Sequence, residues 1–534
     1  MMASNVSRDV SQDQSSVVQT CKPWYAFATV AAGRFVRFAS RVTKHGGSAL
    51  PGKVVEKIDP GFLTRTLGQL PLGVVLVSGT NGKTTTTRMV ASMLSDLGLK
   101  VFTNPTGSNF VRGVVSALLT EVTLGGKLDA DIAVLELDEA YAVHFVKQVK
   151  PRYALLLNVM RDQLDRFGEI DTTAKLLSHV AAATTGTVVL NREDPRIAAL
   201  AAKAPAGTTV RYFGLADDLR RYFPSDDDMA TTVSVEGVAG PLPSARTPLS
   251  PRSELRGASA GTAELPADVT LTAVGDHKAT FQMDGQGYAT DVKLEGVYNL
   301  YNAAAALAVV RAVAADAQAM FLPFEDALAD SVDVDGADAG TETGGNGSHD
   351  AIDQAAADEI LRAAGVSPRM IAFAHATTQA MIDTAGEVTP AFGRGEVITV
   401  NGTPVELLLV KNPMGFRLSL ASFKPEGCDT MICINDEYAD GRDMSWLWDV
   451  DFTSLRGTGV KAVSGVRAWD MALRLEYDQV PVESVSTDLE ESVVNFVNAN
   501  SGTPKHIYCT YTAMLKTRAA LAKIADVADA GVGK

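Results

Sequence analysis

Only four cysteines occur in 534 residues, Cys21, Cys428, Cys433 and Cys509, and no two form a CxxC pair. That excludes a disulfide framework and gives no zinc site, and it fits a reducing cytoplasm. Histidine is scarce as well, seven residues with no pairing that would mark a metal site or a Cys–His nucleophile. No apolar run reaches the ~20 residues needed to cross a bilayer, so the chain is not expected to be transmembrane. Positive charge is in deficit: 48 Lys and Arg stand against 63 Asp and Glu, net −15. Broad electrostatic binding of nucleic acid is thereby excluded, and any anionic ligand must be held by a local site.

What is present is a long α/β pattern, and at roughly 150 residues per domain the length suggests about three domains. Residues 1–46 read as an extension ending in a helix, where "KPWYAFATVAAGRFVRFASRV" spaces Arg34, Arg37 and Arg41 through apolar residues. The charges interrupt the apolar stretch, unlike a signal peptide. An amphipathic helix packing on its own protein is the favoured reading, with a membrane surface as the alternative. From residue 47, short β-branched runs ("GVVLVSG", "IAVLEL", "YALLLNV", "TVVLN") alternate with helical spacing, which predicts a parallel sheet within 47–330. Ser/Pro-rich 215–265 reads as an insert and Gly/Asp-rich 331–350 as a loop, followed by a helical connection over 351–394. A second α/β unit spans 395–534, opening with a hairpin in "VITVNGTPVELLLVKNP".

"GTNGKTTT" (79–86) lies between a strand and a helix, the setting of a phosphate loop. There, backbone N–H groups and the helix N-terminus would cradle phosphates, Lys83 would neutralise them and the Thr84 hydroxyl could hold Mg²⁺. The generic loop wants glycine where Val77 stands. This shorter form, with "LELDEA" around Glu136, "NVMRDQLDRFGEID" and "GVYNLYNAAAA" in order, resembles the Mur ligase and folylpolyglutamate synthase superfamily of ATP-dependent amide-forming enzymes. "KNPMGF", "NDEYADGRDMSWLWDVDF", "YTAML" and "TNPTGSN" are similar to its MurT branch, the ligase subunits of lipid II isoglutaminyl synthases.

The resemblance implies a Mur ligase-like fold: a central P-loop ATPase domain with a parallel sheet, then a C-terminal Rossmann-like α/β domain. It implies ATP held by Gly79, Thr80, Asn81, Gly82, Lys83, Thr84, Thr85, Asn299 and Asn302, with Arg394 and Lys411 clamping the phosphates from the later domain. Mg²⁺ is implied on Thr84 and Glu136, and acceptor contacts at Thr106, Ser108 and Asn109. Gln163 and Tyr298 stand where relatives carry histidine, so a second, histidine-held metal is not claimed and stays open; the cysteine-free insert replaces the family's zinc ribbon, so no zinc is expected. The implied reaction amidates the D-glutamate α-carboxylate of the lipid II stem peptide through an acyl phosphate. Its ammonia would come from a partner, a GatD-type glutamine amidotransferase with a Cys and a His. The place of action is the cytoplasm, with peripheral contact at the inner membrane face. A ligase adding an amino acid, or an ATP-binding scaffold without catalysis, are the rival readings.

The acids of "NDEYADGRDMSWLWDVDF" (435–452) lack calcium-loop spacing and a nearby histidine, so a metal site is disfavoured. Trp446, Trp448, Val450 and Phe452 alternate as the buried face of a strand would, leaving "NDEYADGRD" as a loop. By the resemblance, one aspartate of this stretch completes the amidotransferase's Cys–His pair. Asp443 is preferred, then Asp440, with Asp449 third, and hydrogen bonding within the chain is the competing role for each.

Overall fold

The computed structural model describes residues 26–42, 49–104, 109–160, 170–222, 265–275, 278–293, 297–332, 358–359, 361–363, 365–388 and 394–527. Thr106, Ser108, Gln163, the 333–350 loop and all but the edges of the 215–265 insert lie outside them, as does the side chain of Arg394.

The first sheet is built from β1 (Val74–Ser78), β2 (Val101–Thr103), β3 (Ile132–Glu136), β4 (Tyr153–Leu156), β5 (Thr187–Asn191), β6 (Thr209–Leu215), β7 (Val269–Gly275), β8 (Lys278–Met283) and β9 (Gln286–Asp291). Their order is β2-β3-β1-β4-β5-β6-β7-β8-β9, parallel through β7 and antiparallel for the last two. A parallel sheet is covered on both faces, which is why its strands read as continuous apolar runs. In β1, Val75 and Val77 enter one core while Val74 and Leu76 enter the other.

Helices α1 (Ala26–Val42), α2 (Ala49–Ile58), α3 (Lys83–Asp96), α4 (Val111–Glu121), α5 (Glu139–Val146), α6 (Ile170–Ala183) and α7 (Val297–Val332) cover this sheet. Within α7, Tyr298–Phe321 is long and apolar enough to cross a bilayer by composition, which corrects the reading that no such segment exists. Its residues 303–310 are instead buried in the core, where small alanines let the helix lie close to the strands. Helices α8 (Pro368–Ala374) and α9 (Thr378–Glu387) add Ile371, Phe373, Ile382 and Ala385 to the same core, so this part of the expected connection packs as core.

The second sheet holds β10 (Arg394–Val400), β11 (Thr403–Leu409), β12 (Asp429–Cys433), β13 (Ala462–Ser464), β14 (Val485–Ser486) and β15 (Lys505–Cys509), ordered β10-β11-β15-β12-β13-β14. The β10–β11 hairpin turns through Asn401 and Gly402, both at positive φ as a two-residue turn requires. The remaining pairs are parallel and flanked by α10 (Pro413–Ser422), α11 (Ala468–Tyr477), α12 (Leu489–Asn498) and α13 (Tyr511–Leu521).

The strand expected in "SWLWDVDF" is absent: Ser445–Asp449 and Thr453–Leu455 are short 3-10 turns. Trp446, Val450 and Phe452 are buried, but Trp448 is half exposed, so the alternation does not mark one face. Local polar groups win here. Asp443 accepts from Ser445 N–H (2.9 Å), Asp451 accepts from Thr453 N–H (2.9 Å), and buried Arg474 donates to the Leu447 and Val450 carbonyls that a ladder would have used.

Candidate active site

The phosphate loop that follows β1 meets the residues that follow β11, Thr80 with Lys411 and Asn81 with Asn412. β1 lies between β3 and β4, so the chain leaves it at the point where the strand order reverses, where α/β sheets open a crevice. Gly79 and Gly82 take positive φ (132° and 85°), turning the loop into α3. A Cβ on Gly82 would come within 2.6 Å of the Asn302 amide oxygen, so Asn302 of α7 packs directly on the loop.

Asn158, just past β4, clamps Asn81 from behind: its amide oxygen accepts Asn81 N–H (2.8 Å) and its amide nitrogen donates to Asn81 O (3.0 Å). Thr80 N–H also donates to Asn158 O (2.9 Å). The Lys83 Nζ donates to Thr80 O (3.3 Å) and pairs with Glu139 (3.2 Å) at the start of α5. Burial pushes the Glu139 carboxyl above its ordinary range, against the pull of the Lys83 ammonium. From the other sheet, Lys411 follows β11 and its Nζ donates to the same Thr80 carbonyl (3.2 Å). Two ammonium groups thus converge on one carbonyl oxygen beside a helix N-terminus, which favours an anion between them.

The Thr84 hydroxyl donates to Glu136 Oε1 (3.0 Å) at the end of β3. Asn104 fixes that strand end, donating to Glu136 O (3.0 Å) and accepting from its N–H (2.9 Å). Among the described residues no cluster of three or more His, Cys, Asp and Glu could hold a metal. A carboxylate plus a hydroxyl next to a phosphate site fits Mg²⁺, which takes few protein ligands and completes its shell with phosphate and water. Tyr298, Asn299 and Asn302 from α7 and Leu408, Leu418 and Phe423 from the second unit line a cleft that continues from Gly82 and Lys411. Asn109 lies just before α4, and its carbonyl accepts from Asp138 N–H (3.1 Å).

Asn104, Glu139, Asn158 and Asn412 escaped sequence reading, the last of them from the other unit. Asn412 exchanges two amide hydrogen bonds with Asn81, donating at 2.9 Å and accepting at 3.3 Å, and both side chains are buried. The same Asn412 oxygen caps α10 through Gly415 N–H (2.8 Å). An Asn-Pro dipeptide is a signal that could have found the cap, whereas the second bond has no local signal. Asn412→Ala removes cap and latch together, and an unfolding transition should show about 1–2 kcal/mol of lost stability with a raised KM for nucleotide.

The two candidate aspartates are in opposite situations. Asp440 is buried and accepts from Thr512 N–H (2.7 Å), the Thr512 hydroxyl (2.5 Å) and Glu437 N–H (3.1 Å), and burial raises its carboxyl above the usual range. It ties the 435–444 loop to α13, which is the hydrogen-bonding role within the chain that competes with a catalytic one. Asp443 sits at the loop's surface with its carboxyl held low by the Ser445 side chain and N–H. Asp449 is exposed, and its carbonyl accepts from Arg417.

Residues 77–238 match the Mur ligase middle domain and residues 409–514 match the MurT ligase C-terminal domain. The chain belongs to the MurT branch of the Mur ligase superfamily. It is similar to the lipid II isoglutaminyl synthase (glutamine-hydrolyzing) subunit MurT of Streptococcus pneumoniae, 28% identical with 92% of this chain and 96% of that protein covered. The same subunit of Staphylococcus aureus is 27% identical, over 85% of this chain and 89% of the other. In fold it is similar to MurF of Acinetobacter baumannii (TM-score 0.54, 16% identity, 90% of this chain and 81% of that one). MurF of Thermotoga maritima, solved with ADP, gives 0.52 at 14% identity, over 88% and 83%. The likeness to these solved ligases is one of fold.

Proposed function

We propose that this chain is the ligase subunit of a lipid II amidating enzyme, turning the D-glutamate α-carboxylate of the stem peptide into an amide at the expense of ATP. The observation that carries the reading is the convergence of Lys83 and Lys411 on the Thr80 carbonyl, at the seam between the two α/β units. Residues 79–85 would hold the phosphates of ATP, and the cleft lined by Tyr298, Asn299, Asn302, Leu418 and Phe423 would take its base. Thr84 and Glu136 would hold Mg²⁺, which screens phosphate charge when bound. The acceptor carboxylate attacks the γ-phosphorus, the bond to ADP breaks, and an acyl phosphate forms. Ammonia then attacks the carbonyl carbon, inorganic phosphate leaves with the C–O bond pair, and the amide nitrogen loses a proton. Little covalent work is asked of the protein, which positions the reactants and neutralises charge.

Ammonia is mostly ammonium at neutral pH, so a second subunit, a GatD-type glutaminase with a Cys–His pair, supplies it, and Asp443 orients that histidine. Trp469, Leu473 and Tyr477 are exposed along α11 and Val466 just before it, with Trp448 edge-on to Tyr477 (ring centroids 5.0 Å apart). This row borders the 435–444 loop, since Arg467 pairs with Asp436 (3.6 Å) and Val466 N–H donates to Asn435. An exposed aromatic row of this kind is what a stable partner buries. Trp469→Asp is expected to weaken subunit association by about 30-fold, roughly 2 kcal/mol, in a titration of the purified subunits. Cytoplasmic placement follows from the use of ATP.

The deciding experiment supplies the purified complex with lipid II, ATP and either glutamine, ammonium or amino acids, and reads product mass. A gain of one amide from glutamine and from ammonium supports the reading. Addition of an amino acid, or no ATP turnover with any donor, would sink it.

A further inference from the structure

The N-terminal helix is left over by this account. One side of α1 packs inward: Val30 and Thr29 are buried, and a Cβ on Gly33 would meet Leu119 and Val55 within 2.8 Å. Arg34 locks the contact, donating to the Leu119 (2.8 Å) and Val122 (2.5 Å) carbonyls at the end of α4. The other side carries Phe35 and Phe38, 70% and 66% exposed, and Leu124 is 61% exposed two residues beyond the Arg34 contact. These apolar side chains sit in the most basic part of an acidic protein. Residues 22–57 hold seven Lys and Arg and a single acid, Glu56, in a chain of net charge −15, and five aromatics fall within residues 24–38.

We infer that the outer face of α1 docks on the surface of an anionic membrane, Phe35 and Phe38 entering the headgroup boundary while the neighbouring cations meet lipid phosphates. Aromatic residues beside arginines, on a helix without acids, are the composition of an interfacial helix. The charge argues for a lipid surface in particular. A molecule of this net charge is repelled by anionic lipid except where the local sign is reversed, and the 22–57 segment that contains α1 supplies that reversal. Placement agrees. Helix α4 is anchored by Arg34 at one end and begins just after Asn109 at the other, and its 11 residues span about 16 Å. The docking face would therefore lie one helix length from the candidate acceptor segment at 103–109, within reach of the peptide of a membrane-borne substrate. That last step rests on the function proposed above; the docking itself does not.

The test is co-sedimentation of the full-length chain, with its partner subunit present, on phosphatidylglycerol vesicles and on phosphatidylcholine vesicles. Binding is expected to phosphatidylglycerol, to weaken with added salt, and to fall roughly tenfold or more in the Phe35→Ser/Phe38→Ser variant, whose exposed positions leave the melting temperature unchanged. Amidation of vesicle-borne lipid II should fall with it, while a water-soluble short-chain acceptor is turned over as before. Failure of the parent protein to bind, or equal binding by the variant, overturns the inference, as does a parent dimer in light scattering that the variant abolishes. Inactivity on both acceptors with vesicle binding intact would count against the enzyme reading and leave the docking standing.

Discussion

Lys83→Met is expected to lower kcat/KM for ATP-dependent amidation on the order of 10²- to 10³-fold, measured as ADP release in the presence of lipid II. The ammonium is one of two cations at the Thr80 carbonyl, and Lys411 remains to hold nucleotide, so the loss falls on transfer more than on binding. The substitution also removes the partner of Glu139. Burial already raises that carboxyl with Lys83 in place, and without the ammonium the rise is larger. A carboxyl raised in the folded state binds more protons folded than unfolded, so its folded state gains relative stability as pH falls and loses it as pH rises past the ordinary carboxylate range. The melting temperature of Lys83→Met should therefore lie close to the parent's near pH 5 and drop away from it toward pH 8. Adding Glu139→Gln should close the gap at pH 8 and leave the enzyme inactive. A gap that is the same at both pH values would show that Glu139 is not the group responsible.

Asp443→Asn is expected to reduce glutamine-driven amidation on the order of 10²- to 10⁴-fold and to leave ammonium-driven amidation within about twofold. The asparagine keeps the size of the side chain and can still accept from Ser445 N–H, so the loop keeps its shape and only the charge offered to a histidine is lost. Asp440→Asn makes the contrast. Three donors converge on that carboxylate, and an amide cannot accept all of them. Its variant should lose about 1–3 kcal/mol of stability and depress both donor reactions together. Equal loss with both donors in Asp443→Asn would assign that residue to the ligase site or to folding, and the partner-completing role would fall.

Parts of this site were legible because they are local in sequence. The loop from Gly79 to Thr85 announces itself by glycines, lysine and threonines between a β-branched strand and a helix, and Glu136 by its place at the end of a buried run. The hairpin at Asn401-Gly402 was legible for the same reason: its turn needs positive φ at both positions. The acidic stretch misled because period-two alternation is also produced by capping aspartates between buried residues, and sequence cannot show that Arg474, more than twenty residues on, takes the backbone carbonyls.

By itself the sequence determined the phosphate loop, the alternating strands and helices of both units, and the residue types able to neutralise a triphosphate, since each is set by neighbours a few positions apart. Tertiary structure alone decided that Asn412 reaches a loop some 330 residues away, beside the Lys411 that the family resemblance had already assigned there, and that Asp440 is buried while Asp443 is only partly so. It also decided that the apolar Tyr298–Phe321 segment lies inside a protein core. Those outcomes depend on which surfaces the two sheets bring together, and burial and long-range hydrogen bonds have no local signature in the chain.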